Sequence, residues 1–93
     1  MKIAFIGGGV MGEAMIKGVL AKGLASPRDI TVSDVIQERL STLSQSYGIR
    51  TSASNRQAVA GSGVVVIAVK PQNLARLMPE LEGVFTPDQL VLS

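Results

Sequence analysis

The chain contains no cysteine, no histidine and no tryptophan. Disulfides, zinc fingers, a thiolate nucleophile and an imidazole general base are therefore all excluded from these residues, and no metal site is expected. Aromatic residues are nearly absent as well, limited to Phe5, Tyr47 and Phe85. A core must then be filled by Val, Ile, Leu, Met and Ala, as between a parallel sheet and its helices. A large excess of charge of one sign is also lacking. Nine Lys and Arg stand against seven Asp and Glu, a net +2 with the cations scattered, too little to track a phosphate backbone, so no nucleic-acid partner is expected. No apolar run approaches the roughly 20 residues of a membrane-spanning helix. The opening MKIAFI is too short for a signal peptide, because Gly7 ends it and Glu13 interrupts the next apolar stretch. A cytoplasmic protein with no membrane contact is the expectation.

The 93 residues, 46% of them hydrophobic, are enough for one globular domain over 1–93. Residues 2–6 read as a short unalternating strand, of the kind covered on both faces. Residues 10–22 read as a helix with Met11, Met15 and Val19 at helical spacing and Gly23 as its stop. A second strand over 30–34 leads to a helix carrying Ile36, Leu40, Leu43 and Tyr47 on one face, with Gly48 as its stop. Residues 49–51 form a third strand. Ser54 and Gln57 then make a capping box for a brief helix through Ala60. VVVIAV, residues 64–69, predicts a buried central strand. Leu74, Leu77, Met78 and Leu81 mark a last helical face that Pro79 should kink or divide. A final strand starts at Gln89 and is unfinished at Ser93, which suggests the front part of a longer protein. This alternation predicts an α/β, Rossmann-like, doubly wound parallel sheet of order 3-2-1-4-5.

Four glycines crowd the first turn, in IAFIGGGVMGEAM. The spacing Gly7-x-Gly9-x-x-Gly12 sits between a strand and a helix, where each glycine has a task. Gly7 permits the tight turn, Gly9 lets backbone approach a pyrophosphate, and Gly12 lets helix and strand pack closely. The unsatisfied N–H groups and the helix dipole then favour an anion without any lysine. Asp34, 22 residues beyond Gly12 and at the end of the second strand, stands where a ribose hydroxyl would be bound. A carboxylate there accepts from a free 2′-hydroxyl and repels a 2′-phosphate, so NADH should be usable. Arg39 and Arg56 read as solvated surface charges rather than phosphate ligands.

FIGGGVMGEAMIKG together with AVKPQ (residues 68–72) resembles the nucleotide-binding domain of pyrroline-5-carboxylate reductases, along all 93 residues. That resemblance implies reduction of the cyclic imine 1-pyrroline-5-carboxylate to L-proline with NADPH or NADH, the last step of proline biosynthesis. It implies that Ile6 leads into the turn, and that Gly7, Gly8, Gly9, Val10 and Met11 hold the pyrophosphate ahead of Gly12. Asp34 would contact the adenosine ribose, Asn55 would lie on the adenosine side, and Ala68, Val69, Lys70 and Pro71 would run under the cofactor towards the nicotinamide. Lys70 is expected to be a cofactor-side rather than a catalytic residue. The catalytic groups are expected in a C-terminal helical domain that also forms a homodimer or higher homo-oligomer, leaving this stretch inactive alone. Two other readings share the glycine turn and the acidic ribose residue. One is a 3-hydroxyacid dehydrogenase of the 3-hydroxyisobutyrate type, against which VKPQ argues. The other is a non-catalytic dinucleotide-binding regulatory module.

Overall fold

The computed structural model describes residues 1–92 and forms a five-stranded parallel sheet in the order β3-β2-β1-β4-β5. The strands are β1 (Ile3–Ile6), β2 (Ile30–Ser33), β3 (Arg50–Ser52), β4 (Val64–Ile67) and β5 (Leu90–Leu92). The helices are α1 (Val10–Ala21), α2 (Gln37–Tyr47), α3 (Asn55–Val59) and α4 (Pro71–Leu81), with a short 3-10 turn at Pro27–Asp29 before β2. Four-residue β1 pairs with β2 on one side (Ile3 opposite Ile30) and with β4 on the other (Ile3 opposite Val64). It is thus the central strand, and all four of its residues are buried.

Side chains of a strand alternate between faces, so β1 feeds two cores. Ile3 and Phe5 meet Ile16 of α1, Leu40 and Leu43 of α2, and Ile30 and Val32 of β2. Ala4 and Ile6 meet Val59 of α3, Val65 of β4, and Leu77 and Leu81 of α4. Helices α1 and α2 therefore cover one face, while α3 and α4 cover the other. The chain reverses its winding between β1 and β4, and that opens a crevice at the carboxyl ends of those strands.

Several apolar stripes face elsewhere than their spacing suggests. On α1 the core is met by Ile16, fully buried, and by the partly buried Val19 and Leu20, so of the expected stripe only Val19 packs; Met11 is 68% exposed and Met15 lies near the surface. Helix α1 is apolar on adjoining stripes, so spacing alone does not choose between them; the sheet below does. Ile36 precedes α2 and is exposed, leaving Leu40, Leu43 and the half-buried Tyr47 to pack. On α4, Leu77 and Leu81 are buried while Met78 is half exposed. Pro79 does not divide that helix, which continues to Leu81. Proline there lacks the N–H that would bond the Ala75 carbonyl and its ring crowds that carbonyl, a local cost that does not end the helix. The capping box at α3 is half formed: Ser54 Oγ accepts from the Gln57 N–H (3.3 Å), but the Ser54 N–H goes to Ser52 Oγ (3.1 Å) rather than to the Gln57 side chain.

Candidate functional site

At the end of β1 the Gly7 N–H donates to the Ser33 carbonyl (2.8 Å), prolonging the β1–β2 ladder into the turn. Gly7 then turns with φ +105°, and a Cβ there would lie 2.6 Å from the Ala68 carbonyl oxygen. Gly8 is buried; its N–H donates to Asp34 Oδ2 (2.8 Å). Gly9 caps α1 by backbone alone, and a Cβ there would meet nothing within 4 Å. At Gly12 a Cβ would run into the Gly7 carbonyl oxygen. The tasks expected of Gly7 and Gly12 are thus visible as close backbone approaches, while Gly9 faces open space.

That space is a cleft of about 380 Å³ above the β1–β4 crevice. Its walls bring together Ile6, Gly7, Gly9, Asp34, Asn55, Ala68, Val69 and Lys70, eight of the thirteen residues expected at the site. Gly8 and Gly12 lie buried beneath the turn rather than in its wall. Val10 and Met11, in the first turn of α1, are exposed but do not line the cleft, and neither does Pro71 at the start of α4. The first helical bond of α1 runs from the Glu13 N–H to the Gly9 carbonyl (2.9 Å), so the N–H groups of Val10, Met11 and Gly12 have no intrahelical partner. The cleft therefore meets the positive end of a helix.

Asp34 directly follows β2. Besides the Gly8 N–H it accepts from the Ile36 N–H (Oδ1, 2.9 Å), which orients its carboxylate between the glycine turn and the entry to α2. Asn55 opens α3, and it is more than a turn former. It accepts from the hydroxyl of buried Ser33 (2.5 Å) and donates from Nδ2 to Glu80 Oε2 (2.6 Å). Helix α4 contributes Asn73, Arg76, Leu77 and Glu80 to the wall, and none of these four belongs to a motif that marks a site in the sequence. Their one signal is helical periodicity, since 73, 76, 77 and 80 recur on one side of a helix.

Arg39 is not the solvated charge its sequence context suggests. Its Nε donates to the Gly8 carbonyl (2.6 Å) and its Nη2 to Glu13 Oε1 (2.7 Å). Glu13 Oε2 in turn accepts the Tyr47 hydroxyl (2.5 Å). The charge is drawn inward because α1 and α2 lie side by side on one face and place an acid opposite it. Arg56 keeps its exposed position, with only a long contact to the Glu80 carbonyl (3.4 Å).

The Tyr47 hydroxyl, then Arg39, and more weakly Lys17 on α1 hold Glu13 below the usual carboxylate range, and the bond to Glu13 holds Tyr47 above the usual phenol range. A lowered carboxyl stabilises the fold above its ordinary value of 4.5 and loses that contribution as pH falls through the lowered native value. A raised phenol stabilises below its ordinary value of 10.0 and loses that contribution as pH rises through the raised one. Both shifts record the same bond. Melting temperatures of the parent and of Tyr47→Phe should differ by a constant amount between these limits, and the gap should narrow below and above them. A gap independent of pH at both extremes would contradict this.

A second hollow, of about 510 Å³, lies at the far end of α4 between Met78, Pro79, Glu82 and Phe85. It is larger but holds no convergent polar groups, so the glycine cleft is the better candidate. Among the described residues no His, Cys, Asp or Glu cluster could hold a metal ion, and no helix is long and apolar enough to cross a membrane.

Among known protein families, the one described as NADP oxidoreductase, coenzyme F420-dependent, matches residues 2–93. A pyrroline-5-carboxylate reductase of Methanosarcina acetivorans is 39% identical over 92 residues, covering 99% of this chain and 34% of the relative. Among solved structures, a pyrroline-5-carboxylate reductase from Coxiella burnetii superposes with a TM-score of 0.84 at 32% identity, over 92% of this chain and 32% of that one. A Plasmodium falciparum pyrroline carboxylate reductase with NADP bound gives a TM-score of 0.80, over 98% of this chain and 32% of that one. Its 18% identity makes that a likeness of fold. The chain spans about a third of the length of the relatives it matches.

Proposed function

The chain belongs to the family described as NADP oxidoreductase, coenzyme F420-dependent, and we propose that it is the dinucleotide-binding part of a pyrroline-5-carboxylate reductase. The observation that carries the dinucleotide reading is the cleft itself. A side-chain-free Gly9 faces open space beside the unpaired N–H groups of α1, with a carboxylate at the end of β2. These residues fit a nicotinamide dinucleotide: backbone donors suit the pyrophosphate, and acceptors suit the ribose. The substrate reading rests on the 39% identity to a reductase of that name and on the AVKPQ stretch at the end of β4.

Bound there, a reduced nicotinamide would supply a hydride to the imine carbon, with the imine nitrogen taking its proton from solvent. The chain's own residues bind and orient. The N–H groups of Gly9, Val10 and Met11 hold the pyrophosphate against the helix dipole. Asp34 accepts from the adenosine ribose, and Asn55, fixed between Ser33 and Glu80, closes the adenosine side. Ala68, Val69 and Lys70, which line the cleft, would form the floor beneath the cofactor. Val69 packs against the core cluster that contains Ile6, which would hold this floor in place beneath a bound cofactor.

Oxidation of NADPH and NADH by the protein that carries this chain, followed by absorbance, is the test. Oxidation dependent on 1-pyrroline-5-carboxylate is expected with either cofactor. A folded protein that binds both and oxidises neither in the presence of the imine would retain the dinucleotide site and discard the proline pathway.

A further inference from the structure

Outside the cleft, the best-connected polar cluster of the molecule is Arg39, Glu13 and Tyr47, and none of the three lines the cleft. Arg39 is the third residue of α2, yet its guanidinium reaches across to the turn between β1 and α1. Glu13 anchors it through the charge-assisted Nη2 bond at 2.7 Å, and Tyr47 anchors Glu13. The remaining donor in use, Nε, is spent on a backbone carbonyl, that of Gly8, at 2.6 Å.

The Gly8 carbonyl and the Gly9 N–H belong to one peptide unit. That unit is planar and trans, so its C=O and N–H point in opposite directions. Drawing the carbonyl towards Arg39 therefore turns the Gly9 N–H away from α2. The preceding peptide unit is fixed as well, because its N–H, on Gly8, donates to Asp34 Oδ2 at 2.8 Å. Two successive peptide planes of a glycine run, the most mobile backbone a chain can have, are thus held by two side chains from the same neighbouring segment. A cation on the carbonyl also polarises the peptide and strengthens its N–H as a donor. The Gly9 N–H has no partner among the described residues.

We propose that Arg39 is a positioning residue of the phosphate-binding turn, holding the Gly8–Gly9 peptide so that the Gly9 N–H is set for a pyrophosphate before any ligand arrives. The inference rests on the dinucleotide reading above. Arg39 touches no ligand; it removes the ordering cost that binding would otherwise carry.

The test uses two probes, ADP-ribose, which carries a pyrophosphate, and adenosine, which does not, titrated into the chain and followed by NMR. Replacing Arg39 by methionine should weaken ADP-ribose about tenfold and adenosine less than about twofold. The Gly9 and Val10 amide signals of the free variant should also broaden. Arg39→Lys keeps the charge but cannot span both acceptors, and should recover part of the loss. Glu13→Gln leaves the guanidinium in place with a weaker anchor and should shift the same ratio less; it carries the test if the methionine variant does not fold. Equal weakening of both probes would mean a purely structural role and overturn the proposal. Binding by the parent with an unchanged ratio in the variants would overturn it alone. Failure of the parent to bind ADP-ribose would overturn the dinucleotide reading and this inference with it.

Discussion

Replacing Gly7 by alanine is expected to cost a large share of the stability of the domain, whereas the same change at Gly9 should leave the fold intact and abolish cofactor binding. At Gly7 two penalties add. Its φ of +105° is a region that L side chains rarely adopt, a cost of roughly 1–2 kcal/mol. The new Cβ would also lie 2.6 Å from the oxygen and 2.9 Å from the carbon of the Ala68 carbonyl. That group cannot retreat easily, because the Ala68 N–H is bonded to the Ile6 carbonyl (2.8 Å) and continues the β1–β4 ladder. A combined loss of about 3–5 kcal/mol stands against a typical domain stability of about 5–15 kcal/mol. For a domain of this size a loss of about 3 kcal/mol lowers the melting temperature by roughly 12–24 °C. Gly9 differs in both respects. Its backbone is extended (φ −75°, ψ −165°), which alanine adopts without strain, and no atom waits within 4 Å. The methyl group would enter only the space a pyrophosphate needs. Thermal denaturation of the two variants, with NADPH titrated into Gly9→Ala, checks the pair. A Gly9→Ala protein that binds as the parent does would remove the turn from the proposed site.

Asp34 separates two roles in one side chain. Converting it to alanine should strand the Gly8 N–H, a buried donor bonded at 2.8 Å, and cost about 1–3 kcal/mol of stability. Converting it to asparagine keeps one acceptor oxygen and removes the charge. Its single oxygen can serve the buried Gly8 N–H while the exposed Ile36 N–H turns to water, so that variant should lose less stability than the alanine one and move the ratio of specificity constants towards NADPH by about 10- to 100-fold, corresponding to relief of roughly 1.4–2.8 kcal/mol of repulsion at the 2′ position. Steady-state kinetics with both cofactors on the protein that carries this chain give the ratio. An unchanged ratio in a stable Asp34→Asn variant would confine Asp34 to its backbone contacts.

Much of the architecture is legible because it is written in short-range patterns. The four-residue run IAFI, the VVVI of β4 and the stops at Gly23 and Gly48 each report on a few neighbouring residues, and the alternation of strand and helix leaves few ways to wind a parallel sheet. The departures from the sequence pattern share a cause of their own. Met11 and Met15 recur at helical spacing as well as Ile16 does, and nothing local says which stripe the sheet will cover. Ile36 is spaced as a core residue of α2 but falls one residue outside it, where the turn leaves it exposed beside the cleft. Arg39 reads as a surface cation because its partner Glu13 lies 26 residues away.

The sequence by itself determined the winding of the sheet and the place of the glycine turn: such a turn between a buried strand and a helix puts free N–H groups at a switch point wherever such a chain folds. Only the tertiary structure decided which distant groups meet there. Asp34 reaches Gly8 across 26 residues, Arg39 reaches the same glycine across 31, and Asn55 reaches Glu80 across 25. The physical reason is that side-by-side packing on a twisted sheet sets such distances. Periodicity says which residues share a face, and only the register of β1 against β2 and β4 says what that face will touch.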